Sequence, residues 1–195
     1  TSVDIWTVVV PTIPCRVHSP EWVPQTGWDE VPKHVFLLNT DTELKGVGET
    51  GRGVPIEAVR RGAAALLHAD PEGLALQNRF AGRSAGDEDW LEVERGPAYH
   101  AFEMAALDLV GKARRVPVHV LLGGAVRQRV RADYWIGHQT PEDGRRSVER
   151  AVQLGFKGVK IKCRIEEPMV ERLRAMLEVA GPQFKVTVDP NERFH

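Results

Sequence analysis

An alternation of apolar residues and lysines over residues 155–162 limits the folds that this chain can adopt. The segment reads GFKGVKIK, and as a strand it places its apolar residues on one face and Lys160 and Lys162 on the other, because successive side chains of a strand point to opposite sides. A helical pattern over about residues 166–180 and a second apolar strand over residues 185–189 follow. This order predicts a parallel βαβ unit whose apolar strand faces cover the helices.

The lysine face of this unit points to function. Strands of parallel sheets are covered on both faces and are usually apolar, and a buried ammonium group is costly unless it is paired. Asp189 and Asn191 end the second strand on the lysine side, so these side chains and the lysines would converge where parallel barrels carry their active sites. The alternative is a pair of exposed lysines on an edge strand beside a turn-forming Asp-Pro-Asn.

Three segments resemble the enolase superfamily, in its mandelate racemase and muconate lactonizing branch. They are KIK at residues 160–162, DPN at residues 189–191 and the helix and turn segment at residues 101–124. The resemblance extends over essentially the whole chain, and the order and spacing of the motifs are more specific than any one of them. It implies an α+β N-terminal capping domain at residues 1–127, followed by an incomplete (β/α) TIM-type barrel at residues 128–195.

The barrel part of the sequence is shorter than a closed barrel requires. Three barrel-type strands are recognisable, at about residues 130–136, 156–162 and 185–189, whereas closure takes about eight. We therefore expect a fragment of a longer protein, or a partner that supplies the remaining strands. The fragment alone is expected to be inactive, because the resemblance implies further acidic metal ligands, and often a second base, on later strands.

The chemistry that the resemblance implies is removal of the proton α to a carboxylate, through an enediolate intermediate held by Mg²⁺. Lys162 is then the base and Lys160 assists the substrate carboxylate electrostatically. Asp189 is the metal ligand, which suits the preference of Mg²⁺ for hard oxygen donors, and Asn191 binds near the metal or the substrate. The expected substrate is a small carboxylate, and the expected activity is that of an acid-sugar dehydratase or a hydroxy-acid racemase.

Substrate choice is expected to lie in loops of the capping domain. Relatives fold a loop equivalent to residues 15–33 over the barrel mouth, which makes His18, Trp22 and Trp28 candidate substrate contacts. Packing inside the capping domain is the alternative for the tryptophans, and a surface position is favoured for His18. The segment GETGRG at residues 48–53 resembles a second closing loop.

Three further expectations concern side chains near these candidates. Alternation allows only one of Tyr134 and Trp135 to face the barrel interior, and the sequence leaves the choice open. Cys163 is expected on the helix-facing side as a structural thiol. The charged residues of the last helix, Glu167 and Arg172 among them, are typical of a solvated face.

Composition excludes several classes of protein. The formal net charge is −1, which argues against a nucleic acid or an anionic membrane as the main partner, and the apolar runs are far shorter than a membrane span. Cys15 and Cys163 lie in different predicted modules, so a reduced, cytoplasmic setting fits better than a disulfide. A homo-oligomer is expected, because assembly is common among relatives.

Two other functions stay open at the level of the sequence. One is a non-catalytic fragment or assembly module on the same scaffold. The other is a small α/β binding protein, which would require Lys160 and Lys162 to be solvent-exposed and apart from Asp189.

Overall fold

A computed structural model describes most of the chain. The described residues are 2–13, 15, 17–22, 30–74 and 96–191. They belong to two compact units, one made of Thr1–Val10 and Val31–Gln128 and the other of Pro11–Glu30 and Arg129–His195. None of the helices in these ranges combines the length and the apolar character that crossing a bilayer requires.

The first unit combines an antiparallel sheet with helices. Its strands are β1 (Ser2–Pro11), β2 (Glu30–Asn39) and β3 (Lys45–Glu49), in the order β1-β2-β3, with β2 and β3 antiparallel. Its helices are α1 (Ile56–Ala65), α2 (Pro71–Leu74), α3 (Tyr99–Arg114) and α4 (Val118–Leu121). This is the α+β arrangement expected for the N-terminal part.

Helix α3 packs directly on the sheet of the first unit. The rings of Phe36 and Phe102 meet with their centroids 4.5 Å apart in the core. A Cβ atom at Gly46 would lie 2.3 Å from the carbonyl oxygen of Ala105. Glycine is therefore required on β3, because any side chain there would push the helix off the strand.

The second unit contains a parallel sheet and its covering helices. Its elements are a 3₁₀ turn (Pro20–Trp22), β4 (Tyr134–Ile136), α5 (Pro141–Gln153), β5 (Gly158–Lys162), α6 (Met169–Ala180) and β6 (Lys185–Asp189). The strand order is β4-β5-β6, and both pairs are parallel. The predicted βαβ unit is present with the expected strand β6.

The first of these strands is shorter than predicted. The sequence pattern predicts a strand over about residues 130–136, whereas β4 begins at Tyr134. The reason lies in the neighbouring strand: β5 begins at Gly158, and the first paired residues are Tyr134 and Val159. Residues before Asp133 therefore have no β5 partner to extend the ladder.

The ends of α5 follow from local sequence. The Thr140 side chain caps the helix by accepting a hydrogen bond from the Asp143 amide at 3.2 Å, and Pro141 occupies the first turn. Gly155 follows the helix with φ of 85°, a left-handed conformation that glycine adopts without the strain of a side chain.

The segment 11–30 falls within residues 1–127, the range predicted for the capping domain. It belongs to the unit that contains the parallel sheet. The physical reason is hydrogen bonding: the Ser19 amide donates to the His138 carbonyl at 2.9 Å, and the Ser19 hydroxyl accepts from the Thr140 amide at 2.9 Å. Such long-range bonds leave no local pattern in the sequence.

Candidate active site

The strand register brings two lysines and an aspartate to one face of the parallel sheet. Lys162 on β5 is the direct partner of Asp189 on β6. Lys160 lies two residues earlier on β5, so it shares this face. The intervening residue, Ile161, is fully buried in the core against α5 and α6. The lysine face is therefore the one that these helices do not cover.

The register also resolves the choice between Tyr134 and Trp135. Trp135 is the strand partner of Lys160, and paired residues of neighbouring strands share a face. Tyr134 packs instead with the helix-side core, where its ring meets that of Phe156 with centroids 5.3 Å apart. Trp135 therefore belongs to the lysine face.

The charged side chains on this face contact one another. Lys160 Nζ lies 2.7 Å and Lys162 Nζ 2.6 Å from Asp189 Oδ2. The backbone amide of Asn191 donates to Asp189 Oδ1 at 3.1 Å, and Lys162 also donates to the Asn191 side-chain oxygen. Asn191 has φ of 51°, a left-handed conformation that asparagine tolerates better than most residues. We call these four residues the lysine cluster.

The electrostatics of the lysine cluster favour an ionised carboxylate. Hydrogen bonds from Lys160, then Lys162, then the Asn191 amide hold the pKa of Asp189 well below its usual range. The Lys162 side chain is 17% exposed, against 43% for Lys160. The predicted base is therefore the more sheltered of the two amines.

The donor set fits Mg²⁺ in kind but supplies few ligands. Asp189 offers a carboxylate at the carboxyl end of a strand, and Asn191 offers an amide oxygen beside it, both hard donors. Among the described residues, no group of three or more His, Cys, Asp or Glu side chains is placed to hold a metal. Asp189 therefore suits one ligand position of a site that needs further oxygen donors.

The candidate substrate contacts of the 15–33 segment have different outcomes. His18 is buried, so the favoured surface position is wrong. Its Nδ1 accepts from the His138 amide at 3.0 Å, and its ring lies edge-on to Trp135 at 6.2 Å. Trp22 is half-buried in the 3₁₀ turn, and Trp28 lies outside the described residues. Substrate contact by any of the three stays a prediction.

Sequence reasoning missed a buried ion pair on the opposite face of the sheet. The Arg172 guanidinium donates to Glu167 Oε2 at 2.8 Å, and both side chains have no exposed surface. Glu167 also contacts the ring of His138. The expectation that Glu167 and Arg172 belong to a solvated helix face is therefore wrong. The physical reason is that the Arg172 guanidinium reaches the backbone carbonyls of Gly137 and Lys162 at the strand ends, where it also binds Glu167.

One sequence signal is consistent with that burial. Gly144 lies on α5, where a Cβ atom would come within 3.2 Å of the Arg172 side chain. A glycine inside a helix costs stability, so it indicates close packing by another element. The signal does not identify which residue of α6 fills the space.

The cysteines agree with a structural interpretation. Cys163 is buried, as expected from its alternation with the lysines. Burial, followed by the nearby Glu167 carboxylate, raises the pKa of the Cys163 thiol. Cys15 and Cys163 are both free.

Comparison with known proteins identifies relatives of this chain. No protein-family model matches the chain. The D-galactonate dehydratase of Verminephrobacter eiseniae is 36% identical over 158 residues, which cover 74% of this chain and 39% of the dehydratase. The chain thus spans well under two thirds of the length of this curated relative.

Two solved structures resemble the chain over nearly all of its length. A dipeptide epimerase of Enterococcus faecalis V583, complexed with Mg and L-Leu-L-Tyr, has a TM-score of 0.77 at 19% identity and covers 99% of this chain and 54% of its own. A Roseovarius nubinhibens protein described as a mandelate racemase/muconate lactonizing enzyme, complexed with magnesium, has a TM-score of 0.68 at 25% identity, covering 97% and 51%. The predicted fold class, an α+β capping domain followed by an incomplete (β/α) barrel, is confirmed.

Proposed function

Because this chain belongs to the enolase superfamily, in its mandelate racemase and muconate lactonizing branch, we propose that the protein removes the proton α to the carboxylate of a small acid. The observation that carries the proposal is the lysine cluster: two amines share the Asp189 carboxylate on the face that the helices leave uncovered. Charged groups that converge on an accessible face are available to a ligand.

Lys162 is the proposed base. Its amine lies at the carboxyl end of β5 and is the more sheltered of the two. A general base must lie within hydrogen-bond reach of the proton that it removes, and Lys162 lies on the face from which a substrate can approach. Deprotonation of the substrate breaks its α C–H bond and transfers the proton to Lys162 Nζ.

Lys160 and Asn191 are proposed to orient the acid. Lys160 attracts the substrate carboxylate through its charge, and the NH₂ group of Asn191 donates to a substrate oxygen. Holding the acid in this way places its α-hydrogen next to Lys162 and lowers the entropy that is lost on reaching the reactive geometry. Asp189 is the proposed Mg²⁺ ligand. The metal, when bound, supplies Lewis-acid stabilisation of the negative charge that develops on the acid's carboxylate.

A sugar acid is the proposed substrate, and dehydration the proposed reaction. The dehydratase relative shares 36% identity over 158 residues of this chain, whereas a dipeptide epimerase of Enterococcus faecalis shares 26% over 168 residues. In dehydration the α-proton passes to Lys162, the hydroxyl on the next carbon takes up a proton and leaves as water, and the resulting enol tautomerises to a 2-keto-3-deoxy acid, so that the net change is loss of one water. A racemase would return a proton to the same carbon instead.

The test follows α-hydrogen exchange and product formation by NMR. The intact protein is incubated in D₂O with Mg²⁺ and each of D-galactonate, D-arabinonate, D-mannonate and D-gluconate. We expect one acid to form a 2-keto-3-deoxy product. Lys162→Met should slow this by about 100- to 10,000-fold, the usual contribution of a general base. Lys157→Met, an exposed lysine just before β5, is the matched control and should behave as wild type.

Three outcomes decide between the possibilities. Exchange without loss of water would support proton abstraction and overturn dehydration. No exchange with any acid, in protein that binds Mg²⁺, would overturn the proposed chemistry in favour of a non-catalytic module. Wild-type exchange in Lys162→Met would show that another group is the base.

A further inference from the structure

We propose that Arg172 is a positioning residue for Lys162, an inference whose catalytic part rests on the proposed function. Arg172 lies on α6, on the helix side of the sheet, and does not belong to the lysine cluster. It acts on the lysine through the strand backbone rather than through the side chain. Its contacts, its place in the strand pairing and its burial all support this role.

The contacts of Arg172 join three segments. Its guanidinium donates to the Lys162 carbonyl at 3.0 Å, to the Gly137 carbonyl at 2.6 Å and to Glu167 at 2.8 Å. One planar group therefore binds the residue that carries the proposed base, the residue after β4 and the residue two before α6. Arginine is suited to this task because its donors are fixed in one plane.

The position of these contacts in the sheet is informative. The β4–β5 ladder ends at the pair Ile136 and Ile161. Gly137 and Lys162 would be the next pair, and Arg172 bridges their carbonyl oxygens. The guanidinium thus continues the connection between the strands where the backbone ladder stops, at the point from which the Lys162 side chain departs.

Gly137 is itself fixed by its surroundings. A Cβ atom there would lie 2.1 Å from the Val17 carbonyl oxygen and 2.6 Å from the His18 ring. Val17 and His18 therefore pack against one side of this backbone while Arg172 binds its carbonyl oxygen. The end of β4 is consequently held in place, and the guanidinium links the end of β5 to it through hydrogen bonds.

The energetics favour a geometric role over simple stabilisation. Arg172 has no exposed surface, and burial lowers its pKa while Glu167 opposes that change. A buried ion pair loses much of its attraction to the cost of removing both charges from water, and apolar residues of similar volume are often as stable. What apolar residues cannot supply is three directed hydrogen bonds.

Position matters for Lys162 because its four-carbon stem is flexible. Asp189 and Asn191 hold the amine at one end, and the backbone at residue 162 fixes the other. Displacement of a catalytic group by about 1 Å can cost about 100-fold in rate. Loss of the Arg172 contacts is therefore expected to lower kcat more than it changes KM.

The test separates position from stability by exchanging the whole pair. In the intact protein, the double variant Arg172→Met with Glu167→Leu removes both charges and keeps the volume apolar. Arg172→Lys keeps the charge beside Glu167, but its single ammonium group cannot replace the planar guanidinium that binds both carbonyl oxygens. Arg174→Met is the matched control, an exposed arginine on the same helix. Denaturation by urea selects variants that are as stable as wild type.

Two readouts are measured on each stable variant. The first is kcat and KM for the sugar acid, and we expect kcat to fall about 10- to 100-fold with KM changed less than about threefold. The second needs no activity: reductive methylation with mass spectrometry gives the labelling rate of Lys162 relative to Lys160. We expect that ratio to rise at least twofold in both Arg172 variants and to stay unchanged in Arg174→Met.

The outcomes distinguish this inference from the proposed function. A wild-type protein without exchange activity, but with a labelling ratio that responds to Arg172, would overturn the function and support the positioning. An unchanged ratio in stable Arg172 variants would overturn the positioning, whatever the activity. Wild-type kcat in the double variant would likewise show that Arg172 only fills space.

Discussion

Two ion-paired clusters lie on opposite faces of the same three-stranded sheet and differ in their access to solvent. On one face Asp189 is 26% exposed and pairs with two partly exposed lysines. On the other, Glu167 and Arg172 pair with no exposed surface at all. A ligand can compete for the first carboxylate, whereas the second is committed to the packing of α6.

The difference shows that ion pairs can have different roles within one fold. Charges on the uncovered face remain available to an acid or a cation, so the lysine cluster is the candidate for chemistry. The charges of Arg172 and Glu167 are satisfied by each other and by backbone carbonyls, so this pair holds the strand ends in place. The contrast predicts different responses to substitution on the two faces.

The largest expected effect is on stability, at the buried pair. Glu167→Gln should lower the free energy of unfolding by about 3–5 kcal/mol, because it leaves the Arg172 charge buried without its counter-ion. Glu171→Gln, an exposed neighbour on α6, should change it by less than about 0.5 kcal/mol. Urea denaturation of the intact protein measures both. Equal effects at the two positions would contradict the contrast between the faces.

A smaller effect is expected on Mg²⁺ affinity at the lysine cluster. Lys160→Met removes one of the two positive charges that now occupy Asp189 Oδ2. One charge at about 4 Å is worth roughly 1 kcal/mol in water, so Mg²⁺ should bind about fivefold more tightly. Isothermal titration calorimetry measures this, with Lys157→Met as control. Unchanged or weaker binding would show that Asp189 is not the metal ligand.

The pH dependence of stability should reveal the low pKa of Asp189. Because Lys160, Lys162 and the Asn191 amide lower this pKa in the folded protein, the unfolded chain takes up the proton first as the pH falls. The stabilisation is therefore complete above about pH 4, the ordinary pKa of aspartate, and is lost progressively below it. The difference in urea midpoint between wild type and Asp189→Asn should shrink in that acid range. A difference that grows as the pH falls would show instead that folding raises the pKa of Asp189.

The smallest effect is expected at a solvated ion-pair network on α5. Arg145 contacts Glu142 and Glu149 at helical spacing, and all three side chains are at least 36% exposed. Arg145→Gln should change the free energy of unfolding by less than about 1 kcal/mol, and added salt should reduce that change further. A loss comparable to that of Glu167→Gln would mean that exposure does not separate the two kinds of pair.

Period-2 alternation predicted the lysine face from sequence. Lys160 and Lys162 alternate with core residues, and the parallel register then required Asp189 to join them. The same reasoning placed Cys163 correctly. These successes share one cause: an element's periodicity determines which side chains share a face, without knowledge of distant contacts.

Features that depend on long-range packing were not predictable. Burial of Arg172 depends on α5, where Gly144 leaves room for it. The position of Ser19 and His18 depends on hydrogen bonds to residues 138–140, far along the chain. Local patterns carry no record of such pairings, so Glu167 and Arg172 were misassigned to the solvated helix face and the contacts of Ser19 and His18 were not foreseen.

A crystal structure of the intact protein with Mg²⁺ and a non-reactive sugar-acid analogue tests the role of the lysine cluster most directly. We predict that the acid binds with its α-carbon within about 3.5 Å of Lys162 Nζ, with its carboxylate toward Lys160 and the metal on Asp189. A bound acid elsewhere, with both amines still on the Asp189 carboxylate, would contradict the proposed site.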